Sequence, residues 1–322
     1  MLFNSLAIFA GLVMLVWSAD RFITGAAALA NNLGVSPMLI GLTIVGFGTS
    51  APEVLVSAIA SLDGNPGLAI GNAIGSNIAN IGLILGLTAL IVPLSVHSGV
   101  LKREYPLLLA VSLISLALMW DGSLDRTDGM ILVVLLVLIL GWMIRSAKLG
   151  VKDPIAGEFD AEIPHDIPTA RALIWLIVGL LILLASSRLL VWGATNIATA
   201  LGISDVVIGL TIVAIGTSLP ELAATIASAL KGEDDIAIGN VIGSNLYNIL
   251  AVLSLPGLLA PGPFLPEILY RDQPTMLLMT IALFLMGYGF GKQGRINRLE
   301  GAILLCAFLG YQSLLFFTLA RT

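Results

Sequence analysis

Ten apolar stretches alternate with short polar breaks along the 322-residue chain. They lie near residues 2–30, 37–61, 67–92, 104–120, 127–145, 170–200, 205–230, 235–260, 274–291 and 297–319. Each has about the 20 residues that a helix needs to cross the hydrocarbon core, or more if the helix tilts. The pattern predicts an all-α integral membrane protein with ten transmembrane helices.

One long polar stretch divides this pattern. It is KLGVKDPIAGEFDAEIPHDIPTAR, from Lys148 to Arg171, and its charges and prolines are typical of a linker. We therefore predict an N-terminal five-helix half over residues 1–147, a linker over 148–169 and a C-terminal five-helix half over 170–322.

The two halves are related in sequence. With a shift of 168 residues, segment 41–81 aligns with segment 209–249, and 22 of the 41 positions are identical. GLTIVGFGTSAPE then lies over GLTIVAIGTSLPE. Five spans per half is an odd number, so the halves must cross the membrane in opposite directions. Inverted repeats with interrupted helices are typical of secondary transporters.

Composition indicates that the chain lies in a membrane, and the charge of the loops predicts its orientation there. The chain is 58% hydrophobic and 11% charged, against about 25% charged in soluble proteins. Of the 15 Lys and Arg residues, ten fall in loops on the side of the linker and three on the other side. This asymmetry predicts a cytoplasmic linker, with both termini outside a plasma (inner) membrane. The apolar start is expected to be a retained span rather than a signal peptide, and nothing in the net charge suggests nucleic acid.

The phrase GTS-x-PE, repeated at 48–53 and 216–221, places an acid beside a helix breaker inside an apolar span. Proline lacks an N–H and clashes with the preceding turn, and it pushes the residue before it out of the helical region. We expect a broken helix in each repeat. Carbonyls freed by such breaks are cation ligands when they face a cavity.

A second phrase, GN-x-IGSN-x-x-N, follows on the next span of each half. The offset of four residues from Ser76 to Asn80, and from Ser244 to Asn248, puts each pair on one helix face. Asn80 and Asn248 can then present amide oxygens to the centre of the protein.

The donors collected in these phrases are all hard oxygen ligands, with Glu53 and Glu221 supplying two negative charges. Their chemistry favours calcium or several sodium ions over zinc, copper or iron. A lone Pro in a span is usually only a kink, but two matching copies of Glu, Pro, hydroxyl pair and Asn favour an ion site. Asp20, Arg21 and Arg188 also fall inside spans, where structural pairing or snorkelling explains them.

These motifs closely resemble the two signature repeats of the sodium/calcium exchanger family, within the calcium/cation antiporter superfamily. The ten-span prokaryotic type is the most similar form. The likeness covers both repeats and, in length and span count, the whole chain. It implies a secondary active antiporter that exchanges calcium for sodium by alternating access, with no cofactor and no enzymatic activity. Calcium, sodium and the lipid bilayer are the expected partners, and no obligatory protein partner is evident.

The resemblance also implies a role for each ligand. Glu53 and Glu221 would be the central pair shared by calcium and sodium, flanked by Asn80 and Asn248. Ser76 would serve a sodium site toward the cytoplasm, and Ser244 one toward the outside. Further carbonyl or hydroxyl oxygens would come from Thr49, Thr217, Ser50, Ser218, Gly46 and Ala214.

Some choices stay open at this stage. Asn248 stands where some members, including archaeal and potassium-dependent forms, carry Asp. Asn at both Asn80 and Asn248 resembles the potassium-independent exchangers, which implies potassium-independent, electrogenic exchange. A buried Glu also carries protons, so a proton-coupled calcium/cation antiporter is the alternative. A passive cation channel and an intramembrane enzyme with Glu53 and Glu221 as an acid/base pair are more remote possibilities.

Overall fold

The computed structural model describes residues 2–35, 37–96, 104–148, 167–201, 214–288 and 294–319, which are mostly helical. The α-helices are α1 (Leu2–Leu33), α2 (Pro37–Ile40), α3 (Gly46–Thr49), α4 (Ala51–Leu62), α5 (Pro66–Ala79), α6 (Gly86–Ile91), α7 (Glu104–Leu118), α8 (Arg126–Lys148), α9 (Thr169–Ala200), α10 (Ala214–Thr217), α11 (Leu219–Leu230), α12 (Asp234–Tyr247), α13 (Ser254–Leu259), α14 (Gln273–Gly287) and α15 (Arg298–Leu319). Wider π-helical turns occupy π1 (Gly41–Val45), π2 (Asn80–Leu85), π3 (Asn248–Val252) and π4 (Ile268–Asp272).

The helices confirm an all-α membrane fold. In the described ranges, six helical stretches are long and apolar enough to cross a bilayer, and the bent pair Gly41–Thr49 and Ala51–Leu62 would make a seventh. Two shorter apolar helices, α7 and α11, and the combined π4–α14 stretch account for the other predicted segments. Each of the ten apolar stretches therefore contains helix.

Polar caps explain where several of these helices begin. Asp125 accepts hydrogen bonds from the N–H groups of Thr127 and Asp128 at 2.7 and 2.9 Å, ahead of α8. These contacts lower the pKa of the Asp125 carboxyl, with the Asp128 backbone contribution the largest. Asn297 caps α15 in the same way, and Glu300 accepts in return from the Asn297 N–H at 2.8 Å. Such reciprocal caps satisfy N–H groups that have no partner within the helix.

Among the described residues, four short strands, which the sequence did not predict, join loops outside the apolar stretches. Strand β1 (Leu94–Val96) pairs antiparallel with β4 (Gly294–Ile296), and β2 (Ser123–Leu124) pairs with β3 (Gly262–Pro263). Runs of two or three residues have no readable alternation of apolar and polar positions.

The chain divides into two compact units, each with residues from both sequence halves. Unit 1 comprises 1–52 and 143–240, and unit 2 comprises 53–142 and 241–322. The predicted halves at 1–147 and 170–322 describe sequence repetition, a different property, and that division stays a prediction. Most of the predicted linker, 149–166, lies outside the described residues.

The core of unit 1 is built on α1 and α9, which run antiparallel in close contact. A Cβ added at Gly25 would lie 2.6 Å from the Leu176 nitrogen, and one at Gly179 would lie 2.7 Å from the Phe22 nitrogen. Glycine is needed at such backbone-to-backbone approaches. The hydrophobic core that they form includes Phe22, Ile23, Ala26, Leu183 and Ile236.

In unit 2, α15 packs against π2 and α6. Gly86 and Gly301 face each other there, since a Cβ at Gly86 would lie 3.0 Å from the Gly301 oxygen. A polar contact fixes the same helix, because the buried Tyr311 hydroxyl donates to Asp272 at 2.9 Å. Arg271 binds the two oxygens of that carboxylate at 2.6 and 3.0 Å, so the acid is fully paired.

Candidate ion-binding residues

The first signature repeat contains the expected helix interruption, at Ser50. Helix α3 ends at Thr49, Ser50 has φ −80° and ψ 5°, and α4 begins at Ala51. The axis bends by 49° at this point. We expected the residue before the proline, Ala51, to leave the helix, and this was wrong by one residue. Pro52 instead lies in the first turn of α4, where its missing N–H leaves no hydrogen bond unmade.

The second repeat has the same interruption at the equivalent residue. Ser218, with φ −90° and ψ 5°, separates α10 from α11, and Pro220 lies in the first turn of α11. The Leu222 N–H donates to the Ser218 carbonyl at 3.0 Å and closes that turn. Serine therefore marks the break in both repeats, and proline starts the helix that follows.

Glu53 and Glu221 occupy the first turns of α4 and α11, and both are buried, at 1% and 2% exposure. The N-terminal end of a helix carries partial positive charge, which stabilises an ionised carboxylate. Burial acts in the opposite direction, because a carboxylate loses its hydration. Because the two effects oppose each other, a cation bound at such a carboxylate would add to the stabilisation that the helix start supplies.

In unit 1, Asn240 connects both broken-helix phrases. Its Nδ2 donates to the Glu221 carbonyl at 3.2 Å and to Thr225 Oγ1 at 2.9 Å. Its Oδ1 lies 3.1 Å from the hydroxyl of Thr49, a residue of the first repeat. The side chain is fully buried. Asn240 therefore fixes the backbone at Glu221 and holds Thr49 beside it.

Unlike the Asn240 amide, the serine hydroxyls at the two helix interruptions make no hydrogen bond to another described residue. Ser50 Oγ and Ser218 Oγ are buried, and neither has a hydrogen-bond partner among the described residues. A buried hydroxyl without a partner costs free energy unless a ligand or water satisfies it. Both oxygens lie at helix interruptions, as the ion-binding hypothesis requires.

In unit 2, Asn72 repeats the contact made by Asn240. Its Nδ2 donates to the Glu53 carbonyl at 3.1 Å and to Ser57 Oγ at 3.0 Å. In both repeats the asparagine follows its acid by 19 residues and binds the hydroxyl four residues after the acid. The same local device therefore supports each glutamate.

Asn80 and Asn248 also lie in unit 2, and each begins a π-helical turn. Asn80 donates through Nδ2 to Asn245 Oδ1 at 3.0 Å. The Oδ1 atoms of Asn80 and Asn248 are buried and have no hydrogen-bond partner in the described part of the chain. Single π-turns in long helices frequently occur at functional sites. Two amide oxygens are thus available to a ligand at matching positions.

The other predicted ligands fall within the same segments. Ser76 and Ser244 are buried on α5 and α12, Thr217 is half-buried at the end of α10, and Ala214 begins α10. The Gly46 carbonyl already accepts from the Ser50 N–H at 3.1 Å. Unit 1 contains Gly46, Thr49, Ser50, Ala214, Thr217, Ser218 and Glu221, and unit 2 contains Glu53, Ser76, Asn80, Ser244 and Asn248.

Asn72 and Asn240 are two residues whose contacts were not predicted from the sequence. Both residues are the first Asn of GN-x-IGSN, so the repeat already singles them out. A separation of 19 residues, however, does not indicate which atoms meet across two helices. Only the folded arrangement places each amide on the carbonyl of its acid.

Within the described ranges, no group of three or more His, Cys, Asp or Glu side chains could hold a metal ion. A cation site built from these residues would therefore combine carboxylate with hydroxyl, amide and carbonyl oxygens. Such mixed oxygen sets suit calcium and sodium.

Comparison with known proteins gives the family context. A family profile described as "Sodium/calcium exchanger protein" matches residues 3–145 and 171–317. The chain is 52% identical to "Putative antiporter CaxA" of Alkalimonas amylolytica over 98% of this chain and 99% of that protein. It is 32% identical to "Sodium/calcium exchanger MaX1" of Methanosarcina acetivorans, over 98% and 99% of the two chains.

A solved structure extends the likeness to the fold. The sodium-calcium exchanger NCX_Mj, in a crystal soaked with sodium and calcium, matches with a TM-score of 0.82 at 34% identity. The match covers 96% of this chain and 97% of that one.

Proposed function

The chain belongs to the sodium/calcium exchanger protein family, and from that premise we propose that it exchanges calcium for sodium by alternating access. The family is one of transporters rather than enzymes, and cation antiport is the activity common to it and to the antiporter relatives. The finer features below are proposals for this chain.

One observation carries the proposal. Each signature repeat contains an interrupted membrane helix with a buried glutamate in the turn after the break and a buried serine oxygen, without a hydrogen-bond partner in the described residues, at the break itself. A structural kink requires the proline but neither the acid nor the hydroxyl. A cation that must bind and leave requires oxygens that the protein has not already satisfied.

We assign the ligands accordingly. Glu53 and Glu221 supply the charge for calcium and sodium, and Asn80 and Asn248 supply amide oxygens. Oxygens of the threonines and serines at the two breaks complete the coordination, as do those of four further residues. The full set at the breaks is Thr49, Ser50, Thr217 and Ser218, and the four further residues are Gly46, Ser76, Ala214 and Ser244.

We also propose an orientation, with residues 148–169 in the cytoplasm and both termini outside a plasma membrane. The ten-to-three distribution of loop Lys and Arg supports it.

Flux measurements test the function directly. The purified chain in proteoliposomes should take up calcium-45 when an outward sodium gradient is imposed, and an equal potassium gradient should be ineffective. Uptake driven by a proton gradient but not by sodium would establish the proton-coupled alternative. Calcium flux with no counter-ion at all would indicate a channel.

A further inference from the structure

Arg21 lies at the edge of a groove between α1 and α9 in unit 1 that the proposed transport function does not use. The groove has a volume of about 420 Å³. Its walls are Trp17, Arg21, Ile174, Trp175, Val178 and Gly179. Trp17 and Arg21 are one turn apart on α1, so they project from the same face.

Three charged side chains meet beside this groove. Lys231 Nζ lies 2.6 Å from Asp20 Oδ1, and Arg21 Nε lies 3.9 Å from Asp20 Oδ2. Two cations therefore share one carboxylate, and the shorter contact belongs to the lysine. The formal charges of these three side chains sum to +1, and Arg21 makes the longer of the two contacts.

The guanidinium of Arg21 is also positioned by an aromatic ring. Its carbon lies 5.1 Å from the centre of the Trp175 ring, and 40% of the side chain is exposed. A ring face attracts the cation but leaves the N–H groups along the guanidinium edge able to donate. Arg21 is therefore held in place and is still available to an anion.

The residues around the groove are typical of the membrane interface and not of the middle of the membrane. Lys231 follows the last residue of α11 and begins the polar run KGEDD, and tryptophans are typical of the interface between lipid tails and headgroups. Exposed Arg171 lies on the same face of α9 as Ile174, Trp175 and Val178. Cationic side chains thus adjoin apolar walls where both parts of a lipid would lie.

We propose that this groove binds one anionic phospholipid from the surrounding leaflet. Arg21 donates to the headgroup phosphate, Arg171 adds attraction, and an acyl chain lies along Ile174 and Val178. Basic pockets between transmembrane helices recognise anionic headgroups by this combination of charge and apolar contact. The site is separate from the proposed ion ligands.

Native mass spectrometry of the full-length protein tests the proposal. The detergent-solubilised chain is titrated with phosphatidylglycerol and with phosphatidylcholine carrying the same acyl chains. We expect the first bound lipid to favour phosphatidylglycerol by about fivefold, the effect of one cation near the membrane surface. Arg21→Gln should remove this preference, and Arg21→Lys should retain most of it.

Variants with opposite effects make the test sharp. Asp20→Asn should increase the preference, because the formal charge of these three side chains then rises from +1 to +2. Arg295→Gln, at an exposed arginine in unit 2, is the matched control and should change nothing. If Arg21→Gln does not fold, the lipid preferences of Asp20→Asn and Arg21→Lys still test the proposal.

Three results would overturn the proposal. These are an unchanged preference in Arg21→Gln, a reduced preference in Asp20→Asn, and binding of glycerophosphate as tight as that of the lipid. The last result would mean that the groove takes free anions and that the acyl contacts contribute nothing.

Discussion

Among the described residues, Glu53 and Glu221 combine an ionisable group with the deepest burial. Each is almost completely inaccessible, so an ionised carboxylate there needs stabilisation, which the helix start supplies and which a cation in the proposed site would add to. Glutamine has nearly the same shape, forms hydrogen bonds and carries no charge. Substitution by glutamine therefore separates the electrostatic role of these residues from their packing.

Glu53→Gln and Glu221→Gln should each abolish sodium-driven calcium uptake, because the proposed site then loses one of the two negative charges that attract the ion. The melting temperature without calcium should not fall, since a buried amide costs less than a buried charge. Calcium-45 flux and thermal unfolding in detergent measure the two effects. Glu267→Gln, at an exposed glutamate, serves as the control. Near-normal uptake by either buried-site variant would remove that residue from the ligand set.

Asn240 should matter for both stability and ion affinity. Asn240→Ala loses the contacts to Glu221, Thr225 and Thr49, and it should destabilise the protein by roughly 2–3 kcal/mol. Because the carbonyl at Glu221 is then less constrained, the KM for calcium should rise.

Asn72→Ala is the matched comparison. Asn72 makes two of these contacts and is only half-buried, so its loss should cost roughly 1–2 kcal/mol. Chemical unfolding and calcium-45 saturation curves measure both variants. A loss of stability in Asn240→Ala with no change in KM would argue against a positioning role for Asn240.

At the scale of helices, the interruptions explain how an apolar span can present polar atoms. Continuing α3 into α4 would place the Pro52 ring against the carbonyl of Gly48, four residues earlier. Pro52 therefore keeps the break at Ser50 while starting a regular helix itself. The 49° bend is thus a consequence of local sequence.

Pro52→Ala should allow the helix to run through Ser50. We expect transport to fall by roughly tenfold to a hundredfold, as small misplacements of reacting groups do in enzymes. The melting temperature should stay the same or rise. Pro66→Ala changes a proline at the first residue of α5, which follows the Asn65 cap and not a break within a span, and it should transport normally. Normal flux in Pro52→Ala would mean that the bend does not depend on the proline.

The contact between α1 and α9 predicts a second contrast between variants. Gly25→Ala would place a Cβ 2.6 Å from the Leu176 nitrogen and 2.7 Å from the Ala172 oxygen, so the helices must separate. We expect a loss of roughly 1–3 kcal/mol. Gly141→Ala meets nothing within 4 Å and should be neutral or slightly stabilising. Similar unfolding midpoints for the two variants would contradict this account of the packing.

Much of this level of structure can be predicted from the sequence, because apolar runs and proline act locally. The ten helical segments and the broken helix at each GTS-x-PE follow from those signals. The π-turns at Asn80 and Asn248 do not, since no residue type indicates where a helix will widen. The contacts of Asn72 and Asn240 were also not predictable, because they depend on how two helices meet.

For the molecule as a whole, the central quantity is the charge carried in one cycle. Glu53 and Glu221 give the proposed ion site two negative charges, and Asn80 and Asn248 add none. One calcium ion would neutralise it, whereas the three sodium ions that the resemblance to the exchanger family implies would leave one positive charge. Each cycle should then move one net positive charge in the direction of sodium.

Sodium-driven calcium uptake into vesicles should therefore be enhanced by an inside-positive potential. Sodium leaves the vesicle during uptake, so the net positive charge leaves with it. One charge moving across 100 mV is worth about 2.3 kcal/mol, or roughly fiftyfold in the equilibrium ion ratio. Calcium-45 uptake at imposed potentials, set with an ionophore system free of potassium, measures the effect.

Two controls decide how the result is interpreted. Adding potassium to both sides without a gradient should leave the flux unchanged, because Asn248 provides no carboxylate for a co-transported potassium ion. A strict potassium requirement would show that Asn at this position does not identify potassium-independent exchange. Flux that ignores the potential would mean two sodium ions or two protons per calcium. Either exchange would move no net charge. A proton gradient imposed without sodium would then distinguish the two counter-ions, because it drives calcium uptake only if protons are exchanged.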